Sequence, residues 1–472
     1  MAKEVKHTTV ARSKRLAQGN ALREQIPFDA LGRWSPAADR PDPLELLQAQ
    51  DQGRLESLLP IKYGRMLDSP FTFFRGSAVV MASDLASHPD TGIEAVLCGD
   101  AHLSNFGIFA SPERRTVFDL NDFDEAFPGP WEWDLKRLAA SAVIAGRDNG
   151  FDEDWCRQLA YDVADSYITA LDEFSQMHTV DQWYYHISTD AVLEVFEDSS
   201  KKGLQHAVKM VDKAKDRTRE QTLDKLTELV DGQRRIISDP PLLVPLRELD
   251  LAAIVGDADA SKFSVERVEA QWLNYQRSLP DDRRYLLERF EITSMALRVG
   301  GIGSVGTRCF IALLKGGADD DHLILQLKEA GPSVIEPYVK HTVPYDSPAQ
   351  RVVIGQRIMQ ATSDIFLGWS QSRFSDHYFY WRQLKDMKGS ANIAKLNKKG
   401  LQTYVTVCGV CLARAHARTG DEIKIYGYTG KEEAFGQAIA DFAVAYADQA
   451  EKDYGKLVKA VKSGRIVAET GI

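Results

Sequence analysis

Cysteine is scarce in this chain: Cys98, Cys156, Cys309, Cys408 and Cys411 are the only five in 472 residues. So odd and sparse a set excludes a disulfide framework and points to a reducing compartment. Cys408 and Cys411 form a C-x-x-C, but inside the apolar, helix-like TYVTVCGVCLARAHAR. With no second pair to complete a zinc site and no thioredoxin-like βαβ unit around them, they read as small core residues. Long apolar runs are also missing. None approaches the ~20 residues of a membrane helix, so no membrane partner is expected. The first 24 residues carry Lys3, Lys6, Arg12, Lys14, Arg15 and Arg23 but lack the apolar core of a secretory signal. They read as a mobile basic tail on a cytoplasmic protein. Positive charge is not in excess either: the formal net charge of −10 argues against a general nucleic-acid binder. What is present, 44% hydrophobic and 27% charged residues, is the composition of a globular protein, and the length predicts two or three lobes.

Along the chain, residues 1–60 are polar, and the four prolines of IPFDALGRWSPAADRPDP predict an arm wrapped on the surface. Residues 61–290 read as a helical lobe. SPFTFFRGSAVVMASDLA is a helix, WDLKRLAASAVIAG and DWCRQLAYDVADSYITALDEF follow with helical spacing, and 189–238 is charged, free of proline to Asp239, and helical. From 291 to 390 short alternating runs between glycines predict a small antiparallel sheet, with DHYFYWRQLKD as a further strand. Helices return over 391–472 and are expected to pack on the first lobe. The fold class is therefore α+β.

The stretch CGDAHLSNFGIFASPERRTVFDLNDFDEAFPGPWEWD, Cys98 to Asp134, carries the chemistry. NFGIFAS, a PERR turn and TVFDL predict a β-hairpin. Asp100, His102 and Asn105 stand on the loop before it, and Asp119, Asp122 and Asp124 on its second strand. A hairpin brings these ends together, and carboxylates that close repel unless a cation or shared proton lies between them. Hard oxygen ligands of this kind suit Mg²⁺ shared with phosphate oxygens. A D-x-x-x-x-N loop followed by a metal-binding Asp is the layout of phosphoryl-transfer enzymes. Asp100 is then the base or hydroxyl-orienting group, and Asn105 and Asp122 hold Mg²⁺. His102 is either a hydrogen-bonding member of the loop or a ligand. Asp119 and Asp124 are alternative ligands or supports, and Asp134 is placed to accept hydrogen bonds from the loop backbone. Arg75 reads as an ion-pair partner in the helical lobe or a phosphate contact.

A second motif is Gly301-Ile-Gly303-Ser304-Val-Gly306. A dinucleotide fingerprint must open a helix, but here the strand-like TRCFIALLKG follows. A glycine loop between two strands is the kinase arrangement, its amides covering nucleotide phosphates. That arrangement requires a lysine on the next-but-one strand, which Lys328 in LILQLKEA supplies. Glu336 is the expected partner of that lysine, since Glu329 must point to the opposite face of its strand. Otherwise the motif is a glycine-rich hairpin turn.

GDAHLSNFG followed by NDFDEAFPGPWEWDLKRLA resembles the HGDxHxxN…DFDDAxxGDPxxDLARL signature of aminoglycoside phosphotransferase-like kinases. More closely, RMLDSPFTFFRG, the GDAHLSNFG loop, LQLKEA and LARAHARTGD look like an uncharacterised bacterial domain family grouped with the kinase-like fold, over most of residues 20–460. Cys98 stands where the related kinases often have His. The order is also inverted, with the catalytic loop at 98–105 and the glycine loop at 301–306. The resemblance thus implies a circularly permuted, kinase-like two-lobe fold, permissible where termini lie close at the surface. It also implies an ATP–Mg²⁺-dependent phosphotransferase acting on a small-molecule or protein hydroxyl. AMP transfer would use the same groups. A metallophosphoesterase-like hydrolase would instead combine Asp100 and His102 with Asn121, Asp122 and His377 or His416. A noncatalytic nucleotide-binding regulator would keep the fold without turnover.

Overall fold

A computed structural model describes residues 10–199, 201–250, 254, 265–340, 345–372, 375–384 and 387–472. The predicted hairpin forms from strands β2 (Phe106–Ala110) and β3 (Thr116–Leu120), paired from Phe106↔Leu120 to Ala110↔Thr116. It is enclosed in sequence by β1 (Glu94–Leu97) and β4 (Phe127–Pro130), which pair antiparallel. A two-residue strand, β5 (Ile187–Ser188), joins the free edge of β3. Only Asp119 lies on β3; Asp122 and Asp124 lie beyond its end, in the loop to β4.

Four long helices pack behind this hairpin: Glu132–Asp148, Glu153–Gln176, Lys398–Ala417 and Glu433–Lys462. Leu159, Val163, Tyr167 and Leu171 recur every four residues on the second and are fully buried, a helical stripe of core-facing residues. Close approach needs small residues: a Cβ on Gly409 would lie 2.2 Å from Ser166 Oγ and 2.7 Å from the Val163 carbonyl. The C-terminal helices thus share one core with the hairpin and the helices that follow it. All five cysteines are free and buried, Cys408 and Cys411 inside the Lys398–Ala417 helix.

The strand-rich region predicted over 291–390 forms a six-stranded antiparallel sheet. Its strands are β8 (Leu243–Pro245), β9 (Glu291–Arg298), β10 (Cys309–Lys315), β11 (His322–Ala330), β12 (Gly368–Gln371) and β13 (Tyr378–Gln383), in the order β12-β13-β11-β10-β9-β8. Register sets Lys328 opposite Cys309 on one side and Tyr380 on the other. The sheet also takes in residues before 291. β8 extends the sheet, and Tyr275, Leu279 and Leu287 fill the same small core as Ala312, Leu325 and Trp381.

Three local expectations change. Residues 1–60 are more than a wrapped arm: Arg12–Gln25 is a helix packed on the helix Glu422–Thr429. Its arginines anchor it. Arg12 Nε donates to the Ser175 carbonyl at 3.0 Å, Arg15 pairs with Asp421 at 2.6 Å and Arg23 with Glu432 at 3.1 Å. Lys3 and Lys6 lie outside the described residues. SPFTFFRGSAVVMASDLA splits into two helices, Pro70–Arg75 and Ala78–Leu85, the first opened by a Ser69–Thr72 capping box. Within 189–238 the helical stretch ends at Leu226, and 227–236 is a hairpin of β6 (Thr227–Val230) and β7 (Gln233–Ile236). Its turn residues Asp231 and Gly232 have φ of 52° and 77°, the left-handed pair of a type I′ turn.

Among the described residues no helix is long and apolar enough to cross a membrane.

Candidate active site

Hairpin register builds the site. With Phe106 opposite Leu120, the next residues outward meet, and the Asn121 N–H donates to the Asn105 carbonyl at 2.8 Å. This holds the Asp100–Asn105 loop beside Asp122. The first helix after the hairpin fixes the loop from below. Asp134, in its first turn, accepts the Cys98 N–H at 2.6 Å and the Gly99 N–H at 3.0 Å, as the sequence predicted. Gly99 has φ of 78°, and a Cβ there would lie 2.3 Å from the Glu125 carbonyl; only glycine fits. Cys98 Sγ donates to the Asp122 carbonyl at 3.3 Å, tying the two acidic loops together.

Asp100 is held by Arg137, whose Nε donates to Oδ1 at 2.5 Å. Arg137 itself lies over the Phe74 ring at 4.3 Å and donates to the Phe74 carbonyl at 2.8 Å. Burial, with the Glu125 and Asp122 carboxylates nearby, outweighs Arg137 and pushes Asp100 up to about 7, near the range that suits a general base. His102 caps the loop: its Nδ1 accepts the Ser104 N–H at 3.2 Å, and its Nε2 lies 3.6 Å from Asp100 Oδ2. Burial, with Arg75 and Arg137 nearby, keeps its ring well below the ordinary histidine range. Asn105 Nδ2 donates to the Asp100 carbonyl at 2.6 Å.

Lys328 reaches this cluster from β11 of the six-stranded sheet. Its Nζ pairs with Asp124 and stands 3.6 Å from Asp122 Oδ1. Tyr380, its cross-strand neighbour, donates to Asp124 Oδ1 at 2.7 Å. Burial opposes the Lys328 charge, but Asp122 and Asp124 hold the ammonium well above its ordinary range. Burial likewise opposes ionisation of Asp122, yet Lys328, Arg382 and Lys388 keep it below the usual carboxylate range. Asp122 Oδ1 is buried and accepts no hydrogen bond. At 3.6 Å Lys328 is an electrostatic neighbour of that oxygen and not a donor to it.

The glycine loop roofs the cleft. Arg54 Nη1 donates to the Gly303 and Val305 carbonyls at 2.9 and 2.6 Å, and Arg65 donates to the Gly300 carbonyl. At Gly301 and Gly303 a Cβ would meet nothing within 4 Å. The resulting cleft, of about 170 Å³, is lined by Asp100, His102, Asn105, Asp122, Asp124, Gly301, Gly303, Ser304 and Lys328 together. Segments more than two hundred residues apart, Asp124 and Lys328, meet across it.

Three expected members are elsewhere. Asp119 is buried under the hairpin, where it pairs with Arg414 and accepts the Ala361 N–H at 3.0 Å; its side chain points into the core because neighbours on a strand alternate faces. Gly306, with φ of 89°, turns the loop back to Leu55, whose N–H donates to its carbonyl at 2.7 Å. Glu336 sits in the short 3₁₀ turn Glu336–Tyr338, ahead of the helix that begins at Pro348. The carboxylates on Lys328 are Asp122 and Asp124. Glu329, on the opposite strand face, pairs with Arg308 and His377 at 3.3 and 3.1 Å.

Two arginines, Arg137 and Arg351, are what the sequence reading missed. Arg351 of the helix Pro348–Met359 donates to the carbonyls of Ala126, Asp124 and Gly331, clamping the acidic loop to the sheet lobe. Arg75, which the sequence offered as an ion-pair partner or a phosphate contact, lines the cleft with a buried, unpartnered Nε. Arg137 had a local signal, three residues after Asp134 on the same helix face; Arg351 had none.

Over residues 54–460 the chain matches the family described as "uncharacterized protein conserved in bacteria (DUF2252)". It belongs to that family. Neither the curated proteins nor the solved structures yield a match to this chain.

Proposed function

We propose that this protein is a kinase-like, circularly permuted phosphotransferase that uses Mg²⁺ and ATP. The observation carrying this reading is the meeting of Lys328 and the glycine loop with Asp100, Asn105 and Asp122 in one cleft. The residues fit the groups they would hold. Asp122 Oδ1 is a buried oxygen with an open lone pair, suited to a hard cation. Among the described residues no three His, Cys, Asp or Glu side chains cluster tightly enough to hold a metal alone. That matches Mg²⁺, which takes one or two protein ligands and completes its shell with phosphate oxygens and water.

Asn105 and Asp122 would hold the metal, and Lys328 the phosphates, exchanging its present pairing with Asp124. The open faces of Gly301 and Gly303 let backbone approach a phosphate closely. When bound, Mg²⁺ neutralises charge that develops on the transferred group. Asp100, oriented by Arg137, would accept the proton of the attacking hydroxyl. A hydrolase needs further histidines here, but His416 is buried between Tyr167 and Asp134, and His377 is on Glu329. Five free, buried cysteines suit a reducing compartment such as the cytoplasm.

Asp100→Ala separates catalysis from binding. The variant is expected to keep stabilisation by Mg–ATP in a thermal-shift assay while losing phosphate transfer, read as radiolabel leaving the γ-position. Loss of neither would remove Asp100 from the mechanism. A wild type that binds Mg–ATP but never turns it over would favour the regulator.

A further inference from the structure

Beside the metal cleft lies a wider compartment of about 420 Å³, which shares Gly300, Gly301, Gln326 and Arg382 with it. We propose that this compartment is a phosphate-binding subsite, with Arg298 as its principal ligand and Arg382 as the wall it shares with the metal cleft. The charge inventory is one-sided: Arg114, Arg298, Arg382 and Lys388 line the space against a single carboxylate, Asp364. Asp364 is already engaged, accepting the Phe366 N–H at 2.8 Å and the Gln383 N–H.

Arg298 ends β9, immediately before the glycine loop. Among the described residues its guanidinium has no carboxylate partner. Burial disfavours its charge, and Arg382 repels it. Arg382 donates to Gln326 Oε1 at 3.1 Å and toward the Asn121 carbonyl at 3.5 Å, and its charge is balanced from the metal-cleft side by Asp122 and Asp124. A half-buried guanidinium without a counter-charge is unfavourable in the free protein. Guanidinium forks match phosphate oxygens in pairs, so a phosphate here would supply the missing charge. A nucleobase would leave it unpaired. The phosphate could come from the far end of a nucleotide lying across both compartments or from a second, phosphorylated ligand; the shared chemistry is the oxyanion.

The test is calorimetric titration of inorganic pyrophosphate, without metal, into the full chain. Arg298→Leu is expected to weaken binding at least tenfold while the unliganded variant melts at or above the wild-type temperature. Arg298→Lys, which keeps the charge but not the fork, should recover part of the affinity. Displacement of pyrophosphate by saturating Mg–ATP would identify the nucleotide as the source, and simultaneous binding a second ligand. Unchanged affinity in Arg298→Leu, no binding to the wild type, or binding lost only in Lys328→Met would overturn the proposal. Because neither metal nor turnover enters, its failure is distinguishable from failure of the phosphotransferase reading.

Discussion

Asp119 and Asp122 stand three residues apart and live in opposite surroundings. The Asp119 side chain is 2% exposed, paired with Arg414 and bonded to backbone. That of Asp122 is 39% exposed overall, yet keeps one buried oxygen that accepts no hydrogen bond. The first belongs to the hairpin's foundation, the second to the cleft above it. The same contrast runs through the region. Asp134 spends both oxygens on the loop backbone, whereas Arg75, Asp122 and Arg298 face the cleft or its neighbour with capacity unused. Asp119 and Asp134, with both oxygens engaged, build the site, whereas Arg75 Nε and Asp122 Oδ1 stay buried and unpartnered at the cleft.

This division can be broken most severely at Asp119. Asp119→Ala leaves the Arg414 guanidinium buried and uncompensated and should cost about 3–5 kcal/mol in urea unfolding. Asp122→Ala should cost about 1 kcal/mol or less, as for a partly exposed ion pair. Equal losses would erase the distinction. Gly99→Ala forces a side chain into the left-handed region and against the Glu125 carbonyl, for which about 2 kcal/mol is expected; an unchanged midpoint would show that the loop is not held as described.

A pH dependence is expected at the rim of the foundation. His88 accepts from Lys136 at 2.9 Å. Burial, with Lys136 beside it, lowers its pKa to about 4. The unfolded chain then binds more protons than the native state between the ordinary histidine value and about 4, so this contribution is present above that window and fades as pH falls through it. Glu132, raised to about 7 mainly by burial, works in the opposite direction. The stability difference between wild type and His88→Gln isolates the histidine. It should shrink as pH falls from about 6.5 to about 4, and a flat difference would contradict the neutral ring.

The acidic hairpin was legible because its information is local: alternating runs, a polar turn and a fixed register bring Asn105 and Asp122 together. Lys328 was legible for the same reason, once the glycine loop had been read as a turn between strands. Where tertiary contacts decide, the sequence was silent. The Arg12–Gln25 helix has no strong apolar stripe and is held by arginines reaching residues 163 to 409 positions away. Asp119 was read as an alternative ligand or a support, and its partner Arg414 lies 295 residues on. The Asp231-Gly232 turn was a local signal hidden by the helix-like charge pattern around it. Glu336 was sought on a helix that starts only at Pro348.

Titration of Mg–ATP into the wild type, Asp122→Asn and Lys328→Met tests most directly whether the cleft is a metal–nucleotide site. One site per chain is predicted for the wild type, with affinity reduced at least tenfold in both variants and their unliganded folds retained. Wild-type affinity in both, or no binding by the intact protein, would contradict it.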